Sequence, residues 1–483
     1  MAVSLPRIGT EAIRGGEQDE PVPLVLGVDS SAQSTKVELR DADDGRLFGS
    51  GRAWHPRVVG PRAEQDPNVW WQALVEARHD AGGALGVGAV SVAGQRGLVV
   101  LDDAGKVLRP AKCWNDTEAA PDAAALIEML GGPDEWVHEC GASPTAASSM
   151  AQLARLRRVE PEIFARIARL LQPQDWLTLR LSRHTVTDRG GASLTGYWSP
   201  REERWRADLL ALFDETRDWA GCLPTVLGPA DAAGDREGVL IASGTGAVMA
   251  TALGLSIRPR DVVLSVDGPS HVFTLRERPT EDHTAVVASC ADATGRYLPV
   301  VDPGPLGDAL GAVTKILGVD AGGFDQLAQS APPGADGMVF VPDGDGRGAL
   351  VGISPDATPA LVARAAVEGV ACRLLDALDG LRLADVPTGG RVLLVGGGAR
   401  GPVFQQTLAN LFERPVTVPK GDRTATGACV RAASVLHGVA PERIAEAWKL
   451  DSGRDVEPDP RVDAQEIRSR YREATRGRGA TDR

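Results

Sequence analysis

Residues Val239 to Leu255 read VLIASGTGAVMATALGL. An apolar run from Val239 to Ala242, a Gly-Thr-Gly turn at Gly244 to Gly246 and a stretch of small apolar residues predict a buried strand, a turn and a tightly packed helix. Such a turn sets backbone N–H groups at a helix start, where an anion or a polar substrate can be held. Gly244 and Gly246 would let that ligand approach the backbone closely. The plainer alternative is a buried connection within an α/β sheet. No charge falls between Gly238 and Ile257, a run about long enough to span a bilayer. Ser, Thr and Gly make it weakly apolar, however, and no basic flank or aromatic belt frames it, so no membrane span is expected.

Outward from this centre, 483 residues call for two or three domains with ample core. Lys and Arg number 52 against 65 Asp and Glu, a net charge of −13, which argues against nonspecific binding to nucleic acid or to an anionic membrane. Any phosphate must therefore be held locally. Cys113, Cys140, Cys222, Cys290, Cys372 and Cys429 form no close pairs, so neither a zinc site nor a disulfide framework is indicated and a cytoplasmic location is expected. Residues 1–22 mix Arg, Glu and Gly without an apolar core and read as a disordered leader, not a signal peptide.

PLVLGVDSSAQSTKVEL, Pro23 to Leu39, reads as strand, small polar loop and strand. Such a hairpin suits a nucleotide: N–H and hydroxyl donors meet phosphate oxygens, Lys36 adds charge, and Asp29 can hold Mg²⁺ through water. An ordinary surface hairpin is the alternative. The pattern is partly repeated, Val25-Leu26-Gly27-Val28-Asp29 recurring as Val263-Leu264-Ser265-Val266-Asp267 before Gly268-Pro269-Ser270. Two halves that each begin with such a hairpin suggest duplicated domains closing on one ligand. The expected division is 23–255 for the first domain and 256–448 for the second, with a solvated charged tail at 449–483.

Between the hairpins, Glu64 to Pro67 caps a helix carrying Trp70 and Trp71, and a strand over Val87 to Val92 runs into Gly94-Gln95-Arg96-Gly97. Lys112-Cys113-Trp114-Asn115-Asp116 then places an indole and two polar groups at a strand end. A ring that covers C–H faces beside groups that read hydroxyls is typical of a hydroxyl-rich ligand; a turn capped by Asp116 is the equal alternative. Helices are expected at Ala147 to Arg158, Pro161 to Leu171, from Gln174, Asp308 to Leu317 and Thr358 to Leu381, with a loop at Asp188 to Gly191. A strand from Arg391 to Val395 enters Gly396-Gly397-Gly398-Ala399, where a ring or phosphate could come close to the backbone. A tight turn is again the alternative. A small-residue helix starts near Thr424.

Taken together, GVDSSAQSTKV, EQDPNVWW, VAGQ, LRPAKCWND, QPQDWLTLRL, TDRGGASLTGYW, ASGTG and LLVGGGAR resemble the FGGY carbohydrate kinases, and among them the actinobacterial type of xylulokinase. The resemblance spans roughly Leu24 to Trp448 and implies an α/β fold of two actin-like, ribonuclease H-like ATPase domains with an interdomain cleft. It implies ATP-dependent phosphorylation of a ketose or related alcohol, D-xylulose in the first instance, with ATP and Mg²⁺ as cofactors. Ser34 and Lys36 would lie by the phosphates, Asp29 by the metal, Gly397, Gly398 and Ala399 by the adenosine, and Gln95, Arg96, Trp114 and Asp116 by the sugar. A homodimer or a partner enzyme is the further association to consider.

Several positions depart from the family pattern. The aspartate that serves the family as general base after Gly-Thr-Gly is Ala247, followed by Val248. The sugar-site histidine after Gln95 is missing, with Arg96 leading directly into Gly97. The second hairpin carries Asp267 and Pro269 where phosphate donors are usual, and Gly191-Ala192-Ser193-Leu194 and Gly344 to Gly348 replace two further motifs. Asp267 is the candidate substitute base. The alternative to an active kinase is a catalytically impaired pseudokinase that binds a nucleotide or small metabolite.

Overall fold

The computed structural model describes residues 22–58, 60–83, 86–421 and 423–481. The leader expected at 1–22 thus lies outside the described residues except for Val22. Two compact units emerge: one from the described residues of Met1–Ser256, Glu277–Leu298 and Asp422–Asp451, the other from Ile257–Arg276, Pro299–Gly421 and the described residues of Ser452–Arg483.

In the first unit a mixed sheet runs in the order Ala232–Arg236, Val239–Ala242, Ala89–Gly94, Leu24–Ser30, Ser34–Asp41, Leu47–Trp54. Leu24–Ser30 is buried along its whole length, which is why it reads as a continuous apolar run and not as an alternation. It pairs antiparallel with Ser34–Asp41, setting Asp29 opposite Lys36, and parallel with Ala89–Gly94. The helix Arg423–His437 lies against this sheet so closely that a Cβ on Gly27 would come 2.3 Å from Ala425 O. Ala247–Gly254 crosses the same helix, and a Cβ on Gly427 would lie 1.8 Å from Ala250 O. The small residues of both helices are thus required by backbone approach, not by propensity.

In the second unit Val262–Ser265 pairs antiparallel with Ser270–Thr274 and parallel with Val392–Val395, after which come Val416–Pro419 and Gly453–Val456. The repeated VLGVD and VLSVD segments therefore occupy the same place in both sheets: first arm of a hairpin, and parallel neighbour of a later strand. This duplicated hairpin and crossover is the actin-like, ribonuclease H-like arrangement expected from the sequence.

Several expectations need correction. The boundary after residue 255 falls one residue from the observed Ser256, but the second domain is not continuous: Glu277–Leu298 and Asp422–Asp451 belong to the first unit. The tail from 449 is no solvated appendage. Gly453–Val456 extends the second sheet, and Ala464, Ile467 and Tyr471 are buried on the helix Ala464–Thr481; spacing by three and four residues makes an apolar stripe that abundant Arg conceals in composition. Only Pro161–Ala165 of the helix expected to Leu171 forms, because Arg169–Leu171 pairs with Val99 to Leu101 instead. The loop expected at Asp188 to Gly191 is a short helix, Arg189–Ser193, whose N-cap Asp188 accepts from Gly191 N. Among the described residues no helix is long and apolar enough to cross a membrane.

Candidate functional site

In the first unit, the glycine turn meets the end of a neighbouring strand. Thr245 and Gly246 pair in parallel with Ala93 and Gly94, so the Gln95-Arg96 turn emerges beside the start of the helix Ala247–Gly254. That helix begins at Ala247 after Gly246 with no side-chain cap. Gln95 is 6 % exposed, and neither its amide nitrogen nor its amide oxygen has a hydrogen-bond partner. Asn115 Oδ1, Gln152 Oε1, Gln174 Oε1 and Thr245 Oγ1 are likewise buried without a partner. Gln152 Nε2 reaches Cys113 O at 3.3 Å, and Gly97 lies opposite Cys113, which brings Gln152 and the Trp114-Asn115 segment to the side of Gln95. A cluster of buried amides costs free energy until something bonds it; hydroxyls of a polar ligand, or water, would do so. Arg96 is half-buried and makes no hydrogen bond or ion pair among the described residues.

Trp114 is half-buried at this edge. Asp116 is used differently from the expected sugar contact. Its Oδ2 accepts from Ala63 N at 3.0 Å and from Lys112 Nζ at 2.8 Å, and its Oδ1 accepts from Glu118 N; it holds a turn but caps no helix, since Ala120–Leu130 starts after N-cap Ala119 with no side-chain cap. Glu64, Asp116 and Glu118 are close enough to share a cation, but Lys112 Nζ stands among them at 2.8, 2.8 and 2.6 Å. Arg62 and Arg109 also pair with Glu64, and Arg155 with Glu118, so the chain's own cations already balance the group.

Behind the turn lies a group that sequence reasoning missed. Arg431, fully buried, donates to Ser243 Oγ at 2.6 Å and to Ala293 O at 3.1 Å, and its Nη1 lies 3.3 Å from Asp188 Oδ2. Burial pushes the Asp188 pKa up while the Arg431 charge opposes the shift. Burial also pushes Asp175 up to about 8, so this carboxyl stays protonated at neutral pH. Arg431 was legible only as a lone cation within the otherwise uncharged stretch TATGACVRAAS.

The first hairpin keeps Asp29 buried, with Lys36 Nζ 3.1 Å from its Oδ2. Ser34 is also buried, and its N–H donates to Ser31 Oγ. Behind it, Thr35 Oγ1 bonds His55 Nε2 at 2.9 Å, and burial lowers the His55 pKa to about 4. One carboxylate at the hairpin fits Mg²⁺, an ion that keeps most of its waters and takes one or two protein carboxylates plus phosphate oxygens.

The second unit holds the glycine turn at Gly397 to Ala399. Gly397 N donates to Asp267 Oδ1 at 2.7 Å, Gly398 N to Val266 O at 2.8 Å and Ala399 N to Gly396 O at 3.4 Å. Ser265 Oγ donates to the other Asp267 oxygen at 3.1 Å. The tight-turn alternative thus describes these donors, and Asp267 spends its carboxylate on one of them. At the following helix, Val403 N donates to Asp325 Oδ1.

Two α/β units, each with the same hairpin, define a two-domain actin-like protein, and the buried amide cluster beside the glycine turn is its candidate site for a polar small molecule. Comparison with known proteins narrows this class. Residues 24–254 match the N-terminal domain, and residues 325–436 the C-terminal domain, of the FGGY family of carbohydrate kinases. Xylulose kinases of Streptomyces coelicolor and Streptomyces rubiginosus are each 37% identical to the chain, over 89% and 90% of it and 92% of their own length. The crystal structure of xylulose kinase from Bifidobacterium adolescentis superimposes with a TM-score of 0.78 at 34% identity, covering 94% of this chain and 99% of that one. The chain belongs to the FGGY family of carbohydrate kinases.

Proposed function

We propose that the chain transfers the γ-phosphoryl group of ATP to a hydroxyl of a polyhydroxylated small molecule, with D-xylulose the first compound to try because the similar proteins are xylulose kinases. The observation that carries this reading is Gln95, an amide buried with both polar atoms unpartnered beside the start of the helix Ala247–Gly254. Gln95, with Arg96 and Trp114 nearby, would hold the substrate. Asp29 would hold Mg²⁺ through water, the ion supplying charge stabilisation at the phosphates. Ser34 and Lys36 would meet the phosphates, and Gly397, Gly398 and Ala399 would face the nucleoside. The six free cysteines are all buried, which suits a reducing cytoplasm.

Ala247 offers no carboxylate to accept the hydroxyl proton. Loss of a positioned base typically costs about 10²- to 10⁴-fold, but phosphoryl transfer draws chiefly on positioning and charge. Slow turnover is therefore expected, and Ala247 is also what favours the second reading, a protein that binds nucleotide and ligand without transfer. Coupled ADP release by the purified chain, with D-xylulose and a panel of ketoses, polyols and sugar acids, decides between them. Substrate-dependent release supports the kinase; nucleotide binding with no release on any substrate supports the second.

A further inference from the structure

The substrate side of the first unit is short of negative charge. Arg96 presents a half-buried guanidinium that no carboxylate meets among the described residues, on the turn that follows Gly94. The register of Gly94 with Gly246 sets that turn beside the start of the Ala247–Gly254 helix. No side chain caps this helix, so the partial positive charge of its first turn is not offset locally. Ala247 and Val248 at its start add no acid. The carboxyls behind the turn do not offset the guanidinium either: Asp188 is matched by fully buried Arg431, and Asp175 is held protonated by burial. Two observations independent of the helix end point to a ligand. Gln95, 94% buried by its 6 % exposure, has both amide atoms unpartnered, and so does the hydroxyl of fully buried Thr245.

We propose that Arg96 is a specificity-determining residue and that the site takes a polyhydroxylated carboxylate, an open-chain sugar acid whose carboxylate pairs with Arg96 while its hydroxyls satisfy Gln95 and Thr245. A guanidinium binds a carboxylate through two parallel N–H···O bonds, a geometry that a lysine ammonium cannot copy. A neutral ketose would leave the guanidinium without a partner in a partly dry site. This inference rests on the reading of the first unit as the carbohydrate site.

The test measures binding by calorimetry to the purified full chain, using gluconate, xylonate, D-xylulose, xylitol and a sugar phosphate, with wild type, Arg96→Gln and Arg96→Lys. Wild type should bind an aldonate at least about tenfold more tightly than the polyol of the same length. Arg96→Gln should lose about that factor for the aldonate and stay within about twofold for xylitol, and Arg96→Lys should recover part of the loss. Circular dichroism confirms that the variants are folded. Equal affinity for acid and polyol, or a loss on Arg96→Gln common to both, would overturn the inference and leave the kinase reading standing. A preference for the sugar phosphate over both aldonates would overturn the carboxylate assignment, and an Arg96→Gln effect confined to MgATP binding would move Arg96 to the nucleotide. Binding of no sugar, acidic or neutral, would refute the carbohydrate reading together with the inference.

Discussion

Replacing Asp267 by Asn removes one charge from the glycine turn and keeps its shape. In the wild type the carboxylate accepts from Gly397 N at 2.7 Å and from Ser265 Oγ at 3.1 Å, so an incoming anion must displace it or sit beside it. Asp267 is exposed, so its charge is strongly screened. For a phosphate oxygen carrying a unit charge at ~5 Å, an effective dielectric constant between about 40 and 80 gives a repulsion of ~0.8 to ~1.7 kcal/mol. Asn retains an oxygen that can accept from Gly397 N, so the turn itself should change little. The expected result is MgADP binding tighter by about four- to seventeenfold in Asp267→Asn, with adenosine, which carries no charge, unchanged. Raising the salt concentration should narrow the difference, because the interaction is screened over a Debye length. Calorimetry at low and high salt reads all three quantities. Weaker MgADP binding in Asp267→Asn would refute the reasoning and identify Asp267 as a residue that helps hold the metal-nucleotide complex; equal binding at both salt concentrations would place the phosphates away from Gly397.

Three further outcomes follow from the same geometry. Arg431→Met leaves Asp188 buried without its cation and should cost ~3 to 5 kcal/mol in urea unfolding, whereas adding Asp188→Asn to it should restore at least about 1 kcal/mol; strictly additive losses would mean that the pair does not act as a pair. His55 has its pKa lowered from 6.5 to about 4, so the unfolded chain takes up the proton first and stability should fall by up to ~3 kcal/mol as pH drops from 6.5 toward 4. His55→Gln should flatten that slope, and an unchanged slope would sink the assignment. Ala247→Asp should raise ketose-dependent ADP release about tenfold and weaken aldonate binding by opposing Arg96; an unaltered ketose rate would show that a missing base does not limit turnover.

Local pattern was enough for the elements that carry the fold. The apolar runs at Val25 and Val263, each ending in Asp and a small-residue turn, specified strands buried on both sides, and their repetition specified two related units because one local pattern can serve one hairpin and crossover twice. The Gly-Thr-Gly turn and a capping segment at Glu64 to Pro67 were equally legible, since caps and turns are set by residues a few positions apart; within that segment it is Asp66 that caps Pro67–Asp80. The sequence pattern also marked the absence of acid at Ala247 and the presence of Arg96.

Tertiary structure alone decided how polar groups are spent. Whether Asp116 reads a sugar or pairs with Lys112, whether Gly397 N–H is open or taken by Asp267, and whether Arg431 is solvated or locked against Asp188 and Ser243 depend on partners 4, 130 and 243 or 188 positions away. The same holds for the C-terminal segment, whose abundant Arg hides the stripe of Ala464, Ile467 and Tyr471 until the helices Pro359–Leu383 and Pro402–Phe412 and the strand Val339–Pro342 supply a surface to cover it. Propensity and spacing report what a residue can do locally; burial and long-range partners determine which of its bonds remain for a ligand.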